Sequence, residues 1–216
     1  MVEIRGKRRA AVLPAVAGGL VPGAVAGLAL SLFPVAYLHV SSIGELSPIA
    51  HTVSDYIFVA NGSGLLAFTA LSLAAASIGL LVALIRSGLP RQGPVSVLLG
   101  LWAAGLAVAA VFPTDPAGTP TSFSGAVHRY AGAVMFTSLP LAGWLISRTF
   151  IPSTALRRFS VAAGITSLGF MVSHVAVLYP GSGSVVLGLF ERVLFALLYG
   201  LLFALAAAVP RRGVGS

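Results

Sequence analysis

The sequence contains no cysteine and has few charged residues. Without cysteine, the chain can form no disulfide, thiolate nucleophile or cysteine-ligated metal site. Charged residues make up 8% of the chain and hydrophobic residues 57%, with a mean hydropathy of +1.00. A soluble domain carries roughly 25% charged residues because its surface meets water. The composition therefore predicts an integral membrane protein whose outer surface faces lipid.

The formal net charge of +8 does not indicate nucleic-acid binding. The basic residues form short clusters between apolar runs, with no basic face and no interleaved aromatic residues. The apolar stretch from Ala10 to about Leu38 is longer than the roughly 7–15 residues of a signal-peptide core, so it predicts a retained helix. The expected partner is a membrane lipid or an apolar small molecule. The composition leaves the oligomeric state open.

Six apolar runs are long enough to cross a bilayer, which takes roughly 20 residues each. They are continuous rather than alternating, which excludes strands. The predicted fold is all-α, a polytopic bundle of six transmembrane helices over residues 11–209, between a basic N-terminal segment (1–10) and a basic tail (210–216). The runs are Ala11–Leu38, Tyr56–Ile85, Pro94–Phe112, Val127–Ser147, Phe159–Tyr179 and Val185–Val209.

The basic residues also predict the orientation of the bundle. Eleven of the 13 lysines and arginines lie at one end of the six runs, and the positive-inside rule makes that end cytoplasmic. Both termini are then cytoplasmic, and the expected location is a cell membrane that the chain crosses several times. These residues are Arg5, Lys7, Arg8, Arg9, Arg86, Arg91, Arg148, Arg157, Arg158, Arg211 and Arg212.

Ten of the remaining ionisable residues fall together at the opposite, outer end. Ionisable groups are costly inside a membrane, so they tend to face a bundle interior or a wet cavity and to have partners. We infer an outward-facing polar pocket with an apolar and aromatic floor. The residues are His39, Glu45, His51, Asp55, Asp115, His128, Arg129, His174, Glu191 and Arg192.

Glu191 is the most informative single residue of this set. Phe195 and Tyr199 follow it at helical spacing, which places the acid above an aromatic wall. One interpretation is a carboxyl group that donates or relays a proton. The other, which we favour slightly, is a structural ion pair with Arg129 or with an arginine near the helix end. Arg192 is adjacent in sequence and points about 100° away, so it is a poorer partner.

Asp55 has a structural explanation that we favour over catalysis. The segment Thr52-Val53-Ser54-Asp55 fits a capping box that opens the second helix. Asn61 is then expected one to two turns deeper on that helix. It could line the pocket or form an interhelical hydrogen bond, which is the commoner role.

A third group of candidate residues follows the third helix. Asp115 lies in the turn Phe112-Pro113-Thr114-Asp115-Pro116, and His128 and Arg129 come shortly after it. A carboxylate, a histidine and an arginine together suit proton transfer or anion recognition. The equally weighted alternative is a turn-forming aspartate with an interfacial histidine and arginine.

His174 shares a helix face with Ser167, Phe170 and Met171. A single histidine near a helix end is more often hydrogen-bonded structure than a ligand. No histidine pair has metal-ligand spacing, and neither a serine-nucleophile elbow nor a Walker-type loop is present. The sequence therefore predicts neither a metal nor a cofactor.

Three segments are similar to a known family. They are His51-Thr-Val-Ser-Asp55, the Phe112–Pro116 turn leading to His128, and Phe190-Glu-Arg192. The chain resembles a bacterial six-helix membrane family catalogued as domain of unknown function 998, over nearly its whole length. The resemblance implies the six-helix fold and draws attention to these residues, but it supplies no activity. The overall plan is also similar to that of eukaryotic DRAM-type membrane proteins, at the level of fold alone.

The leading hypothesis is a membrane-embedded, metal-independent acid/base enzyme of the cyclase or isomerase type. Its substrate would be a prenyl chain, a terpenoid or a lipid, and small membrane-bound terpene cyclases look similar in outline. The second hypothesis is a non-enzymatic lipid-binding, sensing or scaffold protein, and a transporter is disfavoured. The candidate catalytic residues are Glu191, Asp55, Asp115 and His128. The candidate substrate-binding residues are Arg129, Arg192, His174 and Asn61, with the aromatic Phe58, Trp102, Phe195 and Tyr199 stabilising positive charge.

Overall fold

The computed structural model describes residues 4–177 and 186–209, and within them the chain is helical without strands. The predicted tail 210–216, residues 1–3 and the end of the fifth run at Tyr179 lie outside the described residues. The helices are α1 (Ile4–Ser41), α2 (Gly62–Arg86), α3 (Pro94–Val111), α4 (Phe123–Thr149), α5 (Thr154–Val177) and α6 (Leu187–Ala208). A short 3-10 helix (Ser54–Phe58) precedes α2.

Each helix packs against the next one along the chain, and α6 returns to contact α1, α2 and α4. Consecutive helices pack along each other and are joined end to end, so they run antiparallel in an up-and-down bundle. Residues 42–61, which we name the L1 segment, join α1 to α2. The end of the bundle that holds the L1 segment is named the L1 end. The α3–α4 connection and the start of α6 lie at this same end.

Five of the helical segments are long and apolar enough to cross a membrane. They are Gly19–Ser41 of α1 and the whole of α2, α3, α4 and α6. The prediction of an all-helical, multi-pass membrane protein is thereby confirmed. Of the six predicted spans, α5 is not among these five, and the orientation of the termini stays a prediction.

Leucine and alanine make up most of the core, and one buried tryptophan lies among them. Trp102 on α3 is fully buried, and its indole Nε1 donates a hydrogen bond to Ser77 Oγ on α2 at 2.8 Å. This bond satisfies the only polar atom of the ring inside an apolar layer. Trp102 therefore joins α2 to α3 about halfway along α3, and the ring does not lie at the L1 end.

The beginnings of four helices differ from the predicted ones by four residues or more, and α1 begins at Ile4, within the basic segment 1–10, instead of at Ala11. The second run begins as a separate 3-10 helix, and α2 itself begins at Gly62 because Asn61 has a left-handed backbone with φ 61°. A side chain at position 62 would place its Cβ 1.7 Å from the carbonyl oxygen of Tyr56. The helices α4 and α5 begin earlier than predicted, at Phe123 and Thr154, because hydropathy detects the apolar part of a helix and misses its polar first turn.

Pro140 interrupts the hydrogen bonding of α4. Proline has no amide hydrogen, so the carbonyl of Phe136, four residues earlier, lacks its usual helical donor. The hydroxyl of Ser167 on α5 donates to this carbonyl at 2.6 Å. A serine of the neighbouring helix thus replaces the missing bond, which stabilises the α4–α5 pair where no water is at hand.

Candidate functional site

The L1 segment lies against the first turn of α6. The amide of Leu189 donates to the carbonyl of Ile49 at 3.0 Å, which satisfies one free amide of the helix start. Gly188 makes this approach possible, since a Cβ there would lie 2.0 Å from the carbonyl oxygen of His51. The backbone of the L1 segment therefore contacts α6 directly.

Arg192 holds the L1 segment through several acceptors. Its guanidinium Nη2 donates to the Tyr56 hydroxyl at 2.8 Å, and that hydroxyl also lies 2.8 Å from His39 Nδ1. A planar guanidinium suits this task because its five N–H groups point in fixed directions. The acceptors of Nη1 are the carbonyls of Pro48 at 2.8 Å, His51 at 2.7 Å and Gly188 at 3.0 Å.

Glu191, the neighbour of Arg192, is buried within the bundle, with 5% of the residue exposed. One of its carboxylate oxygens accepts a hydrogen bond from the backbone amide of Val53 in the L1 segment. Within the part of the chain that the structure describes, Glu191 forms no ion pair with an arginine. Instead of the ion pair with an arginine that the sequence suggested, Glu191 has a hydrogen bond from a backbone amide.

Asp55 lies within the 3-10 helix and binds Thr52, two residues before that helix begins. Its Oδ2 accepts from the backbone amide of Thr52 at 2.7 Å and from the Thr52 hydroxyl at 2.9 Å. The side chains of Phe58 and Asn61 are exposed just beyond it, and Asn61 stands at the N-cap of α2 instead of deeper on that helix. The bond to the Thr52 amide corresponds to one half of the predicted capping box, but it lies at the 3-10 helix, and no side chain caps the N-terminus of that helix or of α2.

We name these residues the Glu191 cluster: His39, His51, Asp55, Tyr56, Glu191 and Arg192. A second group, the Asp115 cluster, comprises Asp115, Thr121, Ser122, His128 and Arg129. It lies between the end of α3 and the start of α4.

Asp115 stabilises the start of α4. Its carboxylate accepts from the amide of Ser122 at 3.0 Å and from the Ser122 hydroxyl at 2.6 Å. These hydrogen bonds, with the side-chain bond foremost, hold the pKa of the Asp115 carboxyl below its ordinary value of 3.8. Gly125 leaves room for the carboxylate, since a Cβ there would lie 1.9 Å from Asp115 Oδ2.

Arg129 and His128 complete the Asp115 cluster. Arg129 Nη2 lies 4.0 Å from Asp115 Oδ2, and its Nη1 donates to Thr121 Oγ1 at 2.9 Å. His128 Nδ1 lies 2.8 Å from the carbonyl oxygen of Phe112. Each of these contacts joins the α3–α4 connection to α4.

Eight of the ten ionisable residues thus fall into two clusters at the L1 end, Glu45 and His174 belong to neither, and a single shared pocket stays a prediction. Across residues 4–177 and 186–209, the structure shows no hydrogen bond or ion pair between the Glu191 cluster and the Asp115 cluster. Both clusters bind backbone groups of connecting segments and helix starts. Catalysis by Glu191, Asp55, Asp115 or His128 stays a prediction.

The aromatic rings near Glu191 form a continuous row toward α5. Phe195 meets Phe136 edge-on with the ring centroids 5.4 Å apart, and Phe136 meets Phe170 at 5.5 Å. Phe170 in turn contacts the ring of His174 at 4.7 Å. Tyr199 points elsewhere, because its hydroxyl lies 2.9 Å from Ser31 Oγ on α1.

A cleft of about 410 Å³ lies between α4 and α5. None of the residues proposed from the sequence as catalytic or substrate-binding lines it, and Phe136 of the aromatic row is part of its wall. Pro140 and the small residues at positions 160, 164 and 167 are the sequence signal that would have indicated it. The lining residues are Phe136, Thr137, Pro140, Leu141, Trp144, Ser160, Gly164, Ser167, Leu168 and Met171.

The described side chains contain no group of three or more histidine, aspartate and glutamate residues close enough to hold a metal ion. The polar chemistry of the two clusters therefore consists of hydrogen bonds and one long ion pair. A family model described as "Protein of unknown function (DUF998)" matches residues 24–208. No curated protein and no solved structure matches the chain.

Proposed function

We propose, from the premise that the chain belongs to the DUF998 family of proteins of unknown function, that it binds a membrane lipid or an apolar small molecule in the α4–α5 cleft. The single observation that carries the proposal is the cleft itself, whose wall is predominantly apolar and aromatic. The two polar clusters then stabilise the L1 end of the bundle and take no part in binding.

The size and position of the cleft support this proposal. Small-molecule sites typically have volumes of roughly 300–1,000 Å³ and mainly apolar walls, and the cleft is within this range. Leu141 and Leu168, from its two sides, are exposed at the perimeter of the bundle. An apolar molecule dissolved in the bilayer would enter from the side, without passing through water.

A photo-crosslinking experiment tests the proposal. The protein is placed in lipid nanodiscs with farnesol that carries a diazirine, and the labelled peptides are identified by mass spectrometry. We expect labelling concentrated on the cleft-lining parts of α4 and α5. Gly164→Trp would fill the cleft and reduce this labelling about tenfold, whereas the matched control Ile165→Trp, at an exposed position next to it, would leave the labelling unchanged. Equal labelling in both variants, or labelling spread evenly over all helices, would overturn the proposal.

A second candidate function is the acid/base enzyme. The observation that favours it is the burial of the Glu191 carboxyl one helical turn from Phe195, whose ring contacts Phe136 of the cleft wall. A proton donor and an apolar site would then be connected through one aromatic row. On this hypothesis the substrate is a prenyl chain, a terpenoid or a lipid, and Glu191 is the acid.

Replacement of Glu191 by glutamine separates the two functions. Glutamine keeps an acceptor oxygen for the Val53 amide, so the fold is retained while the ionisable proton is lost. Lipid extracts of cells expressing the wild-type chain would contain a converted isoprenoid or lipid that is missing from cells expressing Glu191→Gln and Gly164→Trp. Identical extracts from the three strains would reject the enzyme and leave the binding proposal in place.

A further inference from the structure

The α4–α5 cleft lies in one half of the membrane thickness. Phe136, at one end of its wall, is the middle residue of α4, and Trp144, at the other end, is about 12 Å further along that helix. The hydrocarbon core of a bilayer is about 30 Å thick, so the cleft matches the acyl region of one leaflet in length. Since α4 begins at the L1 end, that leaflet is the one at the opposite end of the bundle.

Two arginines continue the walls of the cleft toward this opposite end. On α4, Arg148 lies one helical turn beyond Trp144. On α5, Arg157 precedes Gly164 by seven residues, which is about two turns, and so lies on the same helix face. A Cβ at Gly164 would contact Pro140 at 3.9 Å, and from this contact the antiparallel helices bring both arginines to nearly the same level, about 11–12 Å away.

The guanidinium of Arg148 lies at the edge of the cleft. Its central carbon is 5.6 Å from the centroid of the Trp144 ring, which is part of the cleft wall. Helical side chains lean toward the N-terminus of their helix, which for Arg148 is the direction of the cleft. The electron-rich face of the indole attracts the cation and holds it there. A positive charge therefore borders an apolar cleft at the level of the membrane surface.

Neither arginine has an anionic partner in the described part of the chain. Within residues 4–177 and 186–209, the guanidinium groups of Arg148 and Arg157 form no ion pair and no hydrogen bond, and both residues are exposed. All the described acids lie at the L1 end, about the length of a helix away: Glu45, Asp55, Asp115 and Glu191. Two cations beside an apolar cleft thus match a molecule with a hydrocarbon chain and an anionic head.

We propose that the cleft binds an acyl chain of an anionic phospholipid from this leaflet, with the headgroup phosphate bound by Arg148 and Arg157. This proposal rests on the proposed binding function and specifies its ligand. The fixed N–H groups of a guanidinium suit phosphate oxygens, and the uncharged wall of the cleft suits the chain. A zwitterionic lipid also carries a phosphate, but its cationic group would lie near two arginines and far from every described acid. A net negative headgroup is therefore preferred.

Photo-crosslinking with two phospholipids tests this proposal. Phosphatidylglycerol and phosphatidylcholine with the same diazirine-bearing acyl chain are trace probes in phosphatidylcholine nanodiscs. In the wild-type protein we expect phosphatidylglycerol to label the cleft-lining peptides about tenfold more than phosphatidylcholine. Arg148→Gln combined with Arg157→Gln would abolish this preference. The matched control, Arg86→Gln combined with Arg158→Gln, removes two exposed arginines from the same end and would retain it.

Two further measurements accompany the lipid probes. The farnesol photoprobe should label the Arg148 and Arg157 double variant as it labels wild type, since no residue of the cleft wall has changed. Loss of this labelling would show that the arginines support the cleft instead of a headgroup and would overturn the proposal. Soluble glycerol phosphate, which has the phosphate without the chain, should not reduce labelling by phosphatidylglycerol even in large molar excess.

The outcomes distinguish this proposal from the one on which it rests. Equal labelling by the two phospholipids, or an equal loss of preference in the control variant, would overturn the role of Arg148 and Arg157 while cleft-specific labelling would still support binding. Competition by glycerol phosphate would overturn the choice of a membrane lipid over a free phosphate. If neither phosphatidylglycerol nor farnesol labels a cleft residue, the binding function itself fails.

Discussion

The guanidinium Nη1 of Arg192 lies 2.7 Å from the carbonyl oxygen of His51, which precedes it by 141 positions. The two groups come from the first turns of α6 and from the L1 segment. Their contact depends on Gly188, which leaves room for the L1 backbone beside the helix. The positively charged side chain of Arg192 is thus stabilised by carbonyl oxygens and a phenol. Through these bonds it joins α6 to the connection between α1 and α2.

Replacement of Arg192 by lysine is expected to lower the free energy of unfolding by about 2–3 kcal/mol. An ammonium group keeps the charge but cannot reach carbonyls and the Tyr56 hydroxyl together, because it is a single point on a flexible stem. Denaturant titration in detergent micelles measures the change. Arg91→Lys, at an exposed position between α2 and α3, is the control and is expected to stay within about 0.5 kcal/mol of wild type. If the two substitutions lower the free energy of unfolding equally, the Arg192 guanidinium does not hold the L1 segment as described.

Gly188→Ala is expected to displace the L1 segment from α6. The new Cβ would overlap the carbonyl oxygen of His51, 2.0 Å away, and backbone must move to relieve it. We expect a loss of stability of about 1–3 kcal/mol and faster proteolysis within residues 42–61. Gly64→Ala on α2 is the matched control, since nothing lies within 4 Å of its Cβ, and alanine favours the helix there. If both variants resist protease as well as wild type does, the close contact between Gly188 and the carbonyl of His51 is wrong.

The contribution of Asp115 to stability is expected to depend on pH. Its pKa is lowered in the folded protein by the hydrogen bonds from Ser122, so the unfolded chain binds the proton more readily. The stabilisation is complete above the ordinary value of 3.8 and is lost as the pH falls through the lower folded-state value. We expect thermal midpoints of wild type and Asp115→Asn to differ at pH 7 and to converge as the pH falls below 3.8. A difference that stays constant down to acid pH would show that the charge is irrelevant.

The bond from Ser167 to the Phe136 carbonyl is expected to matter only while residue 140 is proline. In the wild-type background Ser167→Ala removes the hydroxyl that donates to that carbonyl and costs about 1 kcal/mol. With Pro140→Ala, an amide at position 140 donates to the same oxygen, so the serine becomes dispensable. A double-mutant cycle on the free energy of unfolding measures this coupling. Additive effects of the two substitutions argue against the replacement of one bond by the other.

The hydropathy pattern was sufficient to predict the helical bundle. Long apolar runs report burial in lipid directly, so the existence of the helices followed from composition. Their starts did not, because the 3-10 helix at Ser54–Phe58 and the left-handed Asn61 depend on packing against the following residues. The same limitation applies to the first turns of α4 and α5, whose polar residues do not register as apolar.

The partners of the ionisable residues were harder to predict than their location. The sequence placed Glu191 and Arg192 at one end of the bundle with the other acids and histidines. One interpretation gave Glu191 an arginine as its partner, whereas the structure gives Glu191 an amide, and it gives Arg192 carbonyls and a phenol. Backbone groups carry no sequence signature, so contacts to them depend on how distant segments pack.

The cleft escaped the sequence analysis for a different reason. Its wall contains no charged residue, so no ionisable side chain in the sequence marks its position. Pro140 is visible in the sequence, but its effect depends on Ser167, which lies on another helix.

The hydrogen bonds between Arg192 and the L1 segment have a consequence for the synthesis of the protein. The ribosome adds the arginine 144 residues after Pro48, which at about 5–20 residues per second is a delay of roughly 7–30 s. During that interval α1 and α2 are already synthesised, but the L1 segment between them has no contact with α6. In a nascent chain halted before α6, the L1 segment would stay accessible to proteases. The segment is therefore protected from degradation only once α6 has been translated.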